Sequence, residues 1–137
     1  MVPYARTVTL QLSAIGLVVS DMRRTLDFYR ALGLEVPENA ESEQHVEVTL
    51  PGGLRLLFDV EDVIRSFDPG WSPGTGSPRS SLAVACSTPD EVDATYTSLV
   101  SQGFEGHLEP WDAFWGQRYA SLHDPDGNTV DLFAPLG

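Results

Sequence analysis

Lysine is missing altogether: all eight basic residues are arginine, they face twenty acids, and the formal net charge is −12. A phosphate backbone or an anionic bilayer would be repelled by that field, which argues against nucleic-acid and membrane-surface partners and suits a cationic ligand or plain solubility. Only one cysteine is present, Cys86, so no internal disulfide can form, and its apolar setting (Leu82, Ala83, Val84, Ala85) reads it as a small core residue. No window approaches the ~18 consecutive apolar residues of a membrane helix. Met1 to Leu12 lacks a basic region followed by an apolar stretch, which reads as a cytoplasmic protein. A G-x-S-x-G elbow is absent, Cys86 has no histidine near it in sequence, and Gly52-Gly53 lies in a hairpin pattern without the helix that a phosphate cradle needs.

What is present suffices for a core. The 137 residues are 42% apolar and 20% charged, ordinary values for one domain spanning 1–137 that folds without staples. Ala14 to Val19 is short, β-branched and bounded by Ser20 and Asp21, a strand followed by an N-cap. Met22, Leu26, Tyr29 and Leu32 then recur at helical steps, and Gly33 sits where a left-handed C-terminal residue belongs. Leu34 to Val36, His45 to Leu50 and Leu54 to Val60 read as three more strands, the last two joined by the Pro51-Gly52-Gly53 turn. The Pro, Gly and Ser of 68–79 mark a linker carrying Trp71.

Beyond the linker the pattern returns. Ser81 to Cys86 reads as a strand, Thr88 caps a helix opened by Pro89, and Val92, Tyr96, Leu99 and Val100 form its stripe. Gly103-Phe104-Glu105 repeats Gly33-Leu34-Glu35. Strands near Gly106 to Glu109, Arg118 to His123 and Thr129 to Phe133 complete the unit, the last two joined by Asp124-Pro125-Asp126-Gly127-Asn128. The expectation is an α+β fold of two tandem βαβββ modules, about 8–67 and 80–135.

The run V-V-S-D at 18–21, L-D-F-Y-R-A-L-G-L at 26–34 and D-P-D-G-N-T-V-D-L at 124–132 resembles the vicinal oxygen chelate superfamily, the glyoxalase, bleomycin resistance and dioxygenase fold, over roughly residues 8 to 135. The resemblance implies curved mixed sheets around a concave groove, completed in a homodimer, with the ligand in the groove. Enzymes of this superfamily hold a divalent metal at the start of each module's first strand and on its last strand. Here those positions look like Ala14 and Ser81, with Leu56 and Phe58 the nearest candidates in the first module, Asp59 facing the opposite way, and Asp131 in the second. One carboxylate does not make a site that needs at least three ligands, so no metal and no cofactor are expected. His45, His107 and His123 lack the spacing of a ligand pair, although His45 and Glu47, two apart on a strand, share a face.

The remaining signal is Trp111, Phe114, Trp115 and Tyr119, too much aromatic surface for a solvated loop. Two roles fit: closing the core or a subunit seam, or stacking on a flat ligand. W-G-x-R at 115–118 before D-P-D-G-N resembles the tail of the metal-free bleomycin-resistance branch. That resemblance implies a small-molecule binding protein sequestering an aromatic, cationic antibiotic, with no catalytic residue. The expected ligand-binding set is Trp111, Phe114, Trp115, Tyr119, Phe58, Glu47, Asp112 and Asp131, with Trp71 as a lid and Arg118 orienting a ligand carbonyl or pairing with Asp131. Asp59 is a further acid near the groove. The alternative is a metal-dependent lyase, isomerase or ring-cleaving dioxygenase on a small substrate.

Overall fold

The computed structural model describes residues 10–137. The elements run β1 (Ala14–Val19), α1 (Met22–Ala31), β2 (His45–Thr49), β3 (Arg55–Val60), α2 (Glu61–Phe67), β4 (Ser81–Ala85), α3 (Pro89–Ser101), β5 (Glu105–Asp112), β6 (Gln117–His123) and β7 (Thr129–Pro135). They form two mixed sheets, β1-β3-β2 and β4-β7-β6-β5. In each sheet the module's first strand lies parallel to its last, β1 on β3 and β4 on β7. This is the α+β architecture of paired βαβββ modules, with one strand fewer in the first sheet.

The internal repeat is visible in how both principal helices begin and end. Asp21 accepts from the Arg24 N–H at 3.2 Å and Thr88 from the Glu91 N–H at 3.2 Å, while the Glu91 carboxylate accepts the Ser87 N–H at 2.6 Å, satisfying donors that the helices leave open. At the other end Gly33 and Gly103 take φ of +107° and +93°, so that Leu34 N–H reaches Tyr29 O at 3.0 Å and Phe104 N–H reaches Leu99 O at 3.2 Å. Only a residue without Cβ adopts that turn cheaply.

Two elements differ from the sequence expectation. Leu34 to Val36 does not pair as a strand: the Val36 N–H turns back onto Leu34 O at 3.0 Å, and Pro37 has no N–H to offer a ladder. Val36, 8% exposed, plugs the core instead. After β3 the chain enters α2, with Glu61 and Asp62 in its first turn and Arg65 bonded back to Glu61 at 3.2 Å, a charge order that favours a short helix.

One continuous core joins the modules, running from Val19, Leu26, Phe28 and Phe58 through Val92, Leu99, Leu122 and Leu132. Helix α1 carries the junction. Phe28 meets Phe104 edge-on at 5.2 Å, and Arg24 lies over the Phe104 ring while donating to Gly103 O at 3.2 Å. The D-P-D-G-N turn supplies the polar half of the same junction. Asp124, 3% exposed, accepts from Tyr29 Oη at 2.7 Å and from its own turn's Asp126 N–H, Asn128 N–H and Asn128 Nδ2. Asp126 accepts from the Ser20 N–H at 3.1 Å. A buried carboxylate is costly unless its lone pairs are met in this way.

Candidate functional site

Strand registry decides which side chains front the open faces of the sheets. Ala14, Gly16 and Val18 stand opposite Arg55, Leu57 and Asp59, and the register of β2 on β3 adds His45, Glu47 and Thr49 to that face. The intervening residues, Leu56, Phe58, Val46 and Val48, are buried beneath α1. The expectation that Leu56 and Phe58 front the groove is therefore corrected: Phe58 is fully buried, 5.2 Å from the Tyr29 ring, and Leu57 and Asp59 take the open side. Val46 and Val48 pair with Phe58 and Leu56, so the alternation in β2 already carried the signal.

On this first face a polar chain crosses three strands. His45 Nδ1 lies 2.5 Å from Asp59 and Nε2 2.8 Å from Glu47, Arg55 donates to Glu47 at 2.9 Å, and its other nitrogen reaches Ser13 Oγ at 3.1 Å. The hydrogen bonds to Glu47 and then Asp59 favour the imidazolium and hold the His45 pKa above its ordinary value. His45 and then Arg55 hold Glu47 below the usual carboxylate range.

The second face is aromatic at one end and polar at the other. Tyr119, Ser121 and His123 of β6 stand opposite Phe133, Asp131 and Thr129 of β7, and Ser81, Ala83 and Ala85 line up beside them on β4. Trp111 pairs with Tyr119 across β5 and β6, ring centres 5.5 Å apart, and Trp115 stands edge-on to both at 6.0 and 5.2 Å. Beside this cluster Asp131 is 8% exposed and accepts a short hydrogen bond from Ser121 Oγ. Burial, then the Asp131 carboxylate, pushes the Tyr119 phenol up to about 12. At the far end His107 stacks on His123 at 4.4 Å, with Glu105 at 3.2 Å from His123 Nδ1.

The structure brings together Trp111, Trp115, Tyr119 and Asp131 of the expected set, and places Glu47 on the other sheet's open face. Phe114 is 97% exposed at the tip of the β5–β6 hairpin, its ring 5.0 Å from Trp115. Arg118 does not pair with Asp131. Its alternation turns it to the helix side, where Nε and Nη2 hold Asp93 of α3 at 2.9 and 3.2 Å and Nη1 holds Asp112 at 3.0 Å. Both carboxylates keep that guanidinium charged, and Arg118 and Asp112 are thereby tied to α3. Asp93, the partner that settles this, carries no signal in the sequence beyond being one acid among twenty. Trp71 lies under Arg65, 5.1 Å from ring centre to guanidinium. It lines a cavity of about 550 Å³ with Gly16 to Val18, Glu61, the linker and Asp126 to Asn128. Cys86 is half-buried at the edge of the core, and burial pushes its thiol pKa up.

The sequence profile of the Glyoxalase/Bleomycin resistance protein/Dioxygenase superfamily matches residues 11–132. The chain belongs to this superfamily. Solved superfamily structures share its fold. A family enzyme from Burkholderia phytofirmans PsJN superposes with a TM-score of 0.79 at 19% identity, covering 93% of this chain and all of that one. A glyoxalase/bleomycin resistance protein/dioxygenase from Nocardioides gives 0.74 at 24% identity, covering 96% and 87%. A glyoxalase-related enzyme from Fulvimarina pelagi gives 0.76 at 18% identity, covering 90% and 87%. No curated protein matches. No helix among the described residues is long and apolar enough to cross a membrane.

Superfamily membership raises the question of a divalent metal, and the side chains at the relevant positions answer it. Ala14 and Leu57 on the first face have no donor atom, Asp59 beside them is engaged by His45, Ser81 offers a neutral hydroxyl, and Asp131 adds a single carboxylate on the second sheet. Among the described residues no group of three His, Cys, Asp or Glu is arranged to hold an ion. The set does not fit a metal that demands three or four nitrogen, sulfur or carboxylate ligands.

Proposed function

We propose that this superfamily member is a metal-free small-molecule binding protein that sequesters an aromatic, cationic natural product of the antibiotic type, acting in the cytoplasm as a homodimer. The observation that carries this reading is Asp131. It is nine-tenths buried beside Tyr119 on the second sheet, and its side-chain partners are the neutral hydroxyls of Ser121 and Tyr119. A buried carboxylate without a cation is costly, and a ligand ammonium or guanidinium seated beside it would remove that cost.

The rings around it suit the rest of such a molecule. Tyr119 bonds to Asp131 and packs on Trp111 and Trp115, and stacking contributes about 0.5–1.5 kcal/mol per aromatic pair, with a cation over a ring about 0.5–2. Two or three such contacts plus apolar burial approach the ~8 kcal/mol of micromolar binding. The −12 charge draws a cation towards the groove. Trp71 and the linker close the neighbouring cavity as a lid. No bond changes in the ligand, so protection is stoichiometric.

The test is a thermal-shift screen of intercalating and peptide antibiotics on chelator-treated protein, followed by calorimetry and tryptophan quenching. A ligand at 100 times its Kd stabilises by ~2.7 kcal/mol. Recovery of the ligand chemically unaltered supports sequestration. Modified ligand, or near-stoichiometric Ni, Zn, Fe or Mn in dialysed protein, overturns it in favour of the metal-dependent lyase, isomerase or dioxygenase reading.

A further inference from the structure

We infer that the cationic centre this protein receives is an N-methylated ammonium, seated in the corner formed by Trp111, Trp115 and Tyr119, rather than a primary ammonium or a guanidinium. The inference names the cation of the ligand proposed above and rests on that reading.

The three rings stand as walls. Their planes meet at 90° for Trp111 and Trp115, 72° for Trp111 and Tyr119 and 80° for Trp115 and Tyr119, with centres 6.0, 5.5 and 5.2 Å apart. Three faces turned to one point at those spacings put a cation about 4 Å from each ring centre, within the ~6 Å reach of a cation–π contact. Trp115 is 47% exposed and the other two are half-buried, so ring surface remains for a ligand.

No arginine of the chain occupies these rings. The cation–π contacts among the described residues are Arg24 on Phe104 and Arg65 on Trp71. Arg118, the nearest basic residue in sequence, gives its guanidinium to Asp93 and Asp112. The walls are also fixed before any ligand arrives. Trp111 pairs with Tyr119 across β5 and β6, Ala113 N–H closes the hairpin on Gln117 O at 2.8 Å, and the Trp115 indole N–H donates to Gln117 Oε1 at 2.8 Å. Walls held in this way lose little freedom on binding.

Hydrogen-bond supply selects the kind of cation. A primary ammonium carries three N–H donors and a guanidinium five, and each donor stripped of water needs an acceptor. Around this corner the acceptor at hand is Asp131, whose carboxylate already receives the Ser121 and Tyr119 hydroxyls. An N-methylated ammonium spreads its charge over its methyl groups, asks for one hydrogen bond or none, and buries those methyls against the rings. Asp131 then supplies a buried negative charge beside the Tyr119 wall, and the −12 field draws the cation in.

Three probes of one skeleton test this: choline, whose ammonium is trimethylated, ethanolamine, its primary-ammonium counterpart, and 3,3-dimethyl-1-butanol, its uncharged counterpart. Each is titrated into the full chain while the tryptophan indole N–H resonances are followed by NMR. Choline should shift Trp111 and Trp115 saturably, leave Trp71 in place, and bind about tenfold or more tightly than either counterpart. Trp115→Leu removes one wall at a largely exposed site and should weaken choline about two- to thirtyfold. Trp115→Phe, which keeps a smaller ring, should lose less, and decides if Trp115→Leu fails to fold. No saturable shift with choline, equal affinity for ethanolamine or the alcohol, shifts confined to Trp71, or wild-type affinity in Trp115→Leu overturns the inference. Ethanolamine binding as tightly as choline at the same resonances leaves the cationic-antibiotic reading standing. An antibiotic screen that yields only uncharged ligands overturns that reading, while the preference for choline still decides this one.

Discussion

On the proposed function, Asp131 sits at the conflict between stability and binding. Replacing it with Asn keeps the shape and removes a buried anion that lacks a cationic partner, so apo Asp131→Asn should melt no lower than wild type, and up to about 1 kcal/mol above it. The same change should cost a cationic ligand about tenfold to a hundredfold in affinity. Calorimetry beside thermal denaturation checks both halves, and a less stable, equally tight-binding variant would contradict the account.

His45 lends the first sheet a pH dependence of fixed sign. Its folded pKa lies above the ordinary 6.5, so its contribution is complete below 6.5 and fades as pH rises through the elevated folded value. Glu47, lowered from 4.5, contributes above 4.5 and loses its share as pH falls. The difference in Tm between wild type and His45→Gln should therefore be widest between those two values and close on the alkaline side. Both groups are solvent-exposed, so the difference should be small and shrink in salt. At this scale sequence reading was uneven. It put His45 and Glu47 on one face, where they touch, but placed Phe58 on the wrong face and paired Arg118 with the wrong acid, because a strand's period of two fixes faces only after one residue's face is known.

Among the elements, the helices with capping residues and closing glycines were legible at both ends, since Asp21, Thr88, Gly33 and Gly103 each meet a backbone requirement that few residue types can meet. Helix α2 was not, because seven residues are too few to display a helical period. The absent strand at Leu34 to Val36 was misread from its apolar run, with Pro37 the overlooked warning. Helix α3 approaches β5 closely at Gly106, where an added Cβ would fall 2.2 Å from Tyr96 Oη. Gly106→Ala should force that ring aside and cost about 1–3 kcal/mol in chemical denaturation, while leaving the Trp111 cluster's fluorescence unchanged.

For the molecule as a whole, charge and apolar contact respond oppositely to ionic strength. Raising salt shortens the Debye length from ~10 Å at 0.1 M to ~3 Å at 1 M. Affinity for a cationic antibiotic should fall over that range while dimer affinity holds or rises, which parallel calorimetry and sedimentation measure. The duplicated architecture was legible because two copies of one pattern in a single chain constrain each other. How the halves meet was not, because it depends on contacts between residues about a hundred positions apart.

That meeting has a consequence for each half of the repeat. The Tyr29 hydroxyl of one half donates a hydrogen bond to Asp124 of the other, and the Ser20 N–H donates to Asp126. Either half expressed by itself would expose a carboxylate built for a phenol it no longer has, or a phenol without its acceptor. The two halves are thus interdependent in this chain, each completing the other's hydrogen bonds.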